Sequence, residues 1–321
     1  MMKKQKEKSI LNKIFVGIVF TILLIYTISL FIPVVWAFLT SLKGYNDYSI
    51  NMNILGFPTL DPNNFDNSRE QFFHLKNYQD FFKVFKFGEG EIPFWSRGEQ
   101  IVHYRGAVGP FGMLLNTLML TIGGAFLQTI VPAIMAYALA KFDFKLNKVI
   151  FAVSIICMTV PIVGNYPAML TFLRDSRLYD TMLGYMLMKC NFVGMYFFVF
   201  YGFFKALPNS FSEAAEIDGA SYYRILLSII LPLSITTLSA VFIIQFVSFW
   251  NDFQTTYMYM PSYPTLMYGL WFFAVAKSSG DLSRITWRMA GGMTLMIPIL
   301  IAFIFLKDKL MGNVTMGGLK Q

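Results

Sequence analysis

Side chains able to do chemistry are few in this sequence, and most of them sit where a reaction centre is hard to assemble. The 2 histidines, His74 and His103, share one polar stretch that holds no cysteine, so spacing offers no zinc-type ligand set. The 2 cysteines, Cys157 and Cys190, fall in or beside apolar runs and read as small buried residues. No Gly-x-x-x-x-Gly-Lys-Ser/Thr loop exists, because glycine is nowhere followed by lysine. The nearest string, Ala276-Lys277-Ser278, lacks the glycines that would cradle phosphates. Neither a Ser/His/Asp constellation nor a pair of carboxylates in one pocket can be drawn. One dense cluster remains: Glu213, Glu216 and Asp218, interleaved with Ala214, Ala215 and Gly219. Acids near a helix start are favoured by the helix dipole, and paired alanines let a partner backbone approach closely. That is the chemistry of docking against a basic partner, or of an ordinary amphipathic loop at the membrane interface, and not of catalysis.

The elements that must present this cluster are legible around it. Ser210 and Glu213 have the spacing of a capping box just after Pro208, which predicts a helix start. Gly219 supplies the backbone freedom for a bend. A second helix is expected over 220–230, ending at Pro232, so that 208–230 forms a helix–turn–helix.

The rest of the chain is too apolar for a soluble enzyme. Hydrophobic types make up 56% and charged residues 14%, against roughly 25% charged in ordinary soluble domains. Six apolar runs account for the difference: 14–39, 111–140, 149–173, 185–204, 231–250 and 291–306. About 20 such residues cross a ~30 Å hydrocarbon core as helix, the form in which each run satisfies its own backbone hydrogen bonds. The last run is expected to begin a turn earlier, near Trp287, and 266–276 reads as interfacial or re-entrant, being too short to span. The expectation is an all-α membrane protein with six transmembrane helices. Its parts are a 1–13 cytoplasmic start, a first helix 14–39, an extracytoplasmic loop 40–110, a core 111–306 and a cytoplasmic tail 307–321.

The net charge of +8 does not mark a nucleic-acid binder, because the cations flank the apolar runs. Lys3, Lys4, Lys6, Lys8 and Lys13 precede a run too long for a cleaved signal peptide. With that basic start inside, six crossings place both termini in the cytoplasm. The loop 40–110 reads as irregular, with one helix-like patch near 78–87: a cap over the outer mouth, or a surface packed on a partner.

Polar groups at membrane depth are costly and invite a functional reading. Asn116, Gln128, Gln245, Trp250, Asn251 and Asp252 combine hydrogen-bonding groups with an aromatic face, the set a sugar path needs. Interhelical hydrogen bonding and interfacial anchoring are the plainer roles of such residues. Pro132, Pro161 and Pro298 lie within runs and mark candidate kinks.

The order Glu213-Ala214-Ala215, then Gly219, Ile229, Leu231 and Pro232 resembles, without a gap, the "EAA" loop of ABC importer permeases. The likeness extends to the carbohydrate-importer, MalG-like branch. Trp36-Ala-Phe-Leu-Thr-Ser-Leu-Lys43, Asn116-Thr117, Ala136-Tyr-Ala-Leu-Ala-Lys-Phe142, Trp250-Asn-Asp-Phe253 and Met316-Gly-Gly-Leu-Lys320 carry it, and 43–110 matches least. The resemblance implies the type I ABC importer permease fold in a bacterial plasma membrane, with a cytoplasmic coupling helix whose ATPase-coupling residues are Glu213, Ala214, Ala215, Asp218, Gly219, Leu231 and Pro232. It implies a non-enzymatic chain that needs no cofactor of its own. ATP and Mg would bind a partner ATPase. The implied partners are a second permease, two ATP-binding cassette subunits, an extracytoplasmic solute-binding protein and membrane lipid. The tail 314–320 becomes a second ATPase contact. An ion-coupled secondary transporter is the competing reading; it would usually show inverted repeats and intramembrane acid pairs, which are not apparent here. A membrane receptor or scaffold would leave the loop match unexplained.

Overall fold

Long apolar runs in this chain fold as helices, and the computed structural model describes residues 2–59, 73–86, 92–96, 99–103, 107–160, 165–276 and 284–314. The first helix, α1 (Met2–Ser41), is followed by the short α2 (Tyr45–Ser49) and α3 (Lys76–Val84). An antiparallel hairpin comes next, β1 (Ile92–Ser96) with β2 (Glu99–His103), Ile92 opposite His103. Then come α4 (Pro110–Lys141), α5 (Asn147–Thr159), α6 (Asn165–Asp175), α7 (Met182–Lys189) and α8 (Met195–Ala206). The chain continues through α9 (Ser210–Ile217), α10 (Tyr222–Ile225), a π-helical turn Leu226–Ile230, and α11 (Leu231–Trp250). It closes with α12 (Gln254–Tyr259), α13 (Leu266–Trp271), a second π turn Phe272–Ala276 and α14 (Ile285–Val314). Among the described residues, three helical stretches are long and apolar enough to cross a membrane: Asn12–Ser41, Pro110–Lys141 and Tyr222–Trp250. The final run begins at Ile285, near the expected Trp287.

Two expected spans are not single helices. The run 149–173 divides into α5 and α6, because the residue before a proline is driven from helical to extended backbone. Val160, which precedes Pro161, has φ −78° and ψ 115°. Pro161 itself lies outside the described residues. The run 185–204 divides at 190–194, where Asn191 Oδ1 accepts from the Val193 amide and turns the chain between α7 and α8. The stretch 266–276 forms α13 and its π turn.

The chain forms two compact units, one of residues 1–85 and 273–296, the other of 86–272 and 297–321. In the first, the apolar side chains of α1 from Ile14 through Val35 are nearly all exposed, as suits a helix that meets lipid or another chain. Its end is clamped by a polar knot. Lys43 is fully buried, and its Nζ donates to the carbonyls of Asn53 (2.5 Å) and Ile54 (3.2 Å). Asn77 Nδ2 donates to the carbonyls of Ser41 and Lys43, both at 2.8 Å, and Trp36 Nε1 donates to Ile54. Burial pushes the Lys43 ammonium below its ordinary range, partly offset by the nearby Asp47 carboxylate. Gly291 permits close packing on α3, since a Cβ there would lie 2.3 Å from the Phe81 ring. Segment 44–59 and α3 are thus built onto α1 through directional bonds. Lys43→Met should expose this: the Ile54 carbonyl keeps its Trp36 donor, but the Asn53 carbonyl loses its Lys43 donor, at about 1–3 kcal/mol. The expected result is faster proteolysis within 44–59; an unchanged digestion pattern would contradict the clamp.

The second unit is organised by α4, which packs on α8 and α11. Ala133 and Ala136 on α4 keep the contact thin, and Phe197, Phe200 and Phe204 on α8 fill it. In lipid, where apolar burial gives no net drive, close backbone approach and packing hold such helices together.

Candidate functional site

The expected helix–turn–helix is present, with a different entry and exit. α9 starts at Ser210, but no capping box forms: Asn209 occupies the N-cap position with helical backbone and makes no side-chain cap bond. Its carbonyl receives the Ser212 and Glu213 amides at 2.9 and 3.0 Å. The far end of α9 follows the glycine expectation. Gly219 has φ +76°, its amide bonds the Glu216 carbonyl, and the Ala220 amide bonds Ala215, a Schellman closure that favours glycine at this position. The Ser221 hydroxyl then caps α10 by accepting from the Arg224 amide at 3.4 Å.

Pro232 does not end the second helix. Tyr222–Trp250 runs as one helix because the π turn opens the backbone where the proline ring would meet the carbonyl of Ser228. The Leu231 amide reaches back five residues to Leu226. The second helix of the loop and α11 are therefore one continuous helical stretch.

The coupling candidates divide between two faces. Ala215 is buried, part of the core cluster that also holds Tyr137, Phe204 and Ile225. Glu213, Ala214, Asp218 and Gly219 are exposed. Around them stand bare apolar side chains: Ile217 is 86% exposed, Tyr223 80%, Tyr222 62% and Phe211 44%. Exposed apolar side chains gathered on one short segment are the kind of surface that a partner or the membrane interface covers. Glu213 and Glu216 join no ion pair among the described residues. With Tyr137, Lys141, Asn209, Ser212 and Tyr222 they line a depression of about 190 Å³. Leu231 and Pro232 line instead an apolar groove of about 700 Å³ between α4 and α11.

The six polar residues read as a substrate path are not gathered around either cavity. Asn116 Nδ2 donates to the Pro264 carbonyl at 3.1 Å, and Asn251 Nδ2 to Val247 at 2.8 Å on its own helix. Trp250 is buried with its ring centroid 5.8 Å from that of Phe246. Gln245 is buried and Gln128 half-buried. Asp252 accepts from the Thr255 amide and hydroxyl at the start of α12 and forms an ion pair of 3.5 Å with Lys189.

Lys189 is the residue that reading the sequence for hydrogen-bonding groups passes over. Its signal is plain in retrospect, a cation inside the apolar run 185–204. Its ammonium lies 4.1 Å from the Phe249 ring centroid and 5.1 Å from that of Tyr185, a cation–π cage closed by Asp252. Of the two histidines, His74 packs beside Gly44, and the side chain of His103 lies outside the described residues. Tail residues 315–320 also lie outside them.

Comparison with known proteins agrees with this architecture. A putative ABC transporter permease of Caldicellulosiruptor sp. (strain Rt8B.4) is 30% identical over 216 residues, spanning 65% of this chain and 76% of that protein. The melibiose/raffinose/stachyose import permease MelC of Bacillus subtilis (strain 168) is 26% identical over 210 residues, 64% of this chain and 75% of MelC. A crystal structure of a bacterial ABC transporter involved in import of the acidic polysaccharide alginate shares the fold. It matches with a TM-score of 0.63 over 92% of this chain and 96% of that one, at 18% identity. The family model for the inner membrane component of binding-protein-dependent transport systems matches residues 128–314, which include α9, its turn and the continuous helix into α11. The chain belongs to that family of membrane permease components.

Proposed function

We propose that this chain is the permease subunit of an ATP-driven carbohydrate importer, and that the loop 208–230 couples it to a separate ATPase. The observation that carries this reading is the exposed face of α9 and its turn. Acids without an ion pair among the described residues and bare aromatic and aliphatic side chains sit on a loop that is anchored in the core by Ala215 and continuous with a membrane-length helix. A cleft with an apolar floor and basic rim would complement it. ATP and Mg then act in the partner, and its closure drives this chain between inward- and outward-open states. A second permease, two such ATPases and an extracytoplasmic solute-binding protein complete the assembly. The basic flanks orient both termini to the cytoplasm, in the division 1–13, 14–39, 40–110, 111–306 and 307–321. A carbohydrate cargo is supported by the import role named for MelC. The substrate path keeps Asn116, Gln128, Gln245, Trp250, Asn251 and Asp252 as its candidates, with Asp252 also paired to Lys189.

The test is uptake by the complete assembly in liposomes, with a panel of α-galactosides and maltodextrins. Accumulation is expected only with ATP and the binding protein. Accumulation driven by a proton or sodium gradient without ATP would replace this reading with an ion-coupled one.

A further inference from the structure

We infer that Lys141 is a positioning residue: it bolts the loop to the end of α4, so that α9 and α4 move as one body. The inference rests on the proposed docking role of the loop. Lys141 closes α4, and its ammonium borders the depression that also holds Glu213 and Glu216. Yet it forms an ion pair with neither acid among the described residues. Its Nζ donates to the Leu207 carbonyl at 2.6 Å and to Asn209 Oδ1 at 2.8 Å, both in the connection between α8 and α9. Asn209 sits at the N-cap of α9, a position where asparagine normally bonds an amide of its own helix. Here it forgoes that bond and accepts from Lys141 instead. The receiving end is stiff as well: Asn147 Nδ2 closes the end of α4 by donating to the carbonyls of Leu139 (2.9 Å) and Phe142 (3.0 Å). Phe142 adds an edge-on contact to Tyr222 at 5.4 Å, tying the same corner to α10. The two acids are thereby left for a partner while the loop stays fixed to the helix behind it. Movement at α9 then has a second route into the core, through α4, besides its continuity with α11.

Hydrogen exchange tests this at two levels. In the purified chain alone, Lys141→Ala removes both bonds and should raise exchange of the Ser212 and Glu213 amides by at least about tenfold, the size of one lost charge-assisted hydrogen bond. Asn209→Ala should give a smaller rise, because the Leu207 carbonyl remains, and the double variant should exceed Lys141→Ala by less than the sum. Unchanged exchange in both single variants, or additive effects, would overturn the bolt whether or not an ATPase docks. In the assembled complex, trapping with ATP and vanadate should alter exchange at α9 and at residues 137–141 together. Lys141→Ala should keep the first change and lose the second, and Lys141→Arg, which still offers several donors, should restore it. Transmission to 137–141 that persists in Lys141→Ala would overturn the positioning role. A wild-type chain that recovers no ATPase would count against the docking reading instead.

Discussion

Gly219→Val should abolish uptake while the chain still inserts in the membrane in normal amounts. No neighbouring atom lies within 4 Å of a Cβ built at Gly219, so crowding is not the obstacle. The obstacle is the backbone. At φ +76° an L-residue costs about 1–2 kcal/mol, and a β-branched one is a still rarer occupant. Valine would drive the turn toward negative φ, break the paired closures from Gly219 to Glu216 and from Ala220 to Ala215, and re-aim α9. The spans do not depend on this turn, which is why insertion should survive. Gly219→Asn is the control, since asparagine tolerates the left-handed region and should keep most of the uptake. Equal uptake in wild type and Gly219→Val would remove the loop from the mechanism.

Asp252→Asn should produce the largest loss of stability. Lys189 is held by Asp252 at 3.5 Å and by two aromatic faces, with little solvent reaching it. Removing one partner of a buried pair leaves an uncompensated charge, at about 3–5 kcal/mol. The thermal midpoint of the detergent-purified protein should fall clearly. Lys189→Met combined with Asp252→Asn should recover much of the loss, because no lone charge is then buried. A single variant as stable as wild type, or a double variant worse than the single, would mean that water already reaches the site.

The contrast between these sites shows what a sequence carries. Gly219 is legible because one residue type answers one backbone requirement, and the run 111–140 is legible because apolar length alone dictates α4. The break at Val160 could be read from Pro161, whereas the break at 190–194 depends on a side-chain bond from Asn191 that no composition rule announces. Pro232 suggested a helix end, but the π turn before it absorbs the missing amide, a local solution that pattern reading does not supply. Asp252 drew attention as a polar group. Its partner Lys189 comes from a different run, and only the fold brings the two together. Ala214 and Ala215 look equivalent in the motif, yet one faces out and the other packs within the core.

The most direct test of the central claim is affinity purification of the tagged chain in mild detergent, with identification of what is recovered. The account predicts a second permease and an ATPase carrying a Gly-x-x-x-x-Gly-Lys-Ser/Thr loop. With Glu213→Lys and Gly219→Val combined, the ATPase should be lost and the second permease retained. A chain that purifies alone and transports in liposomes without ATP would contradict the account.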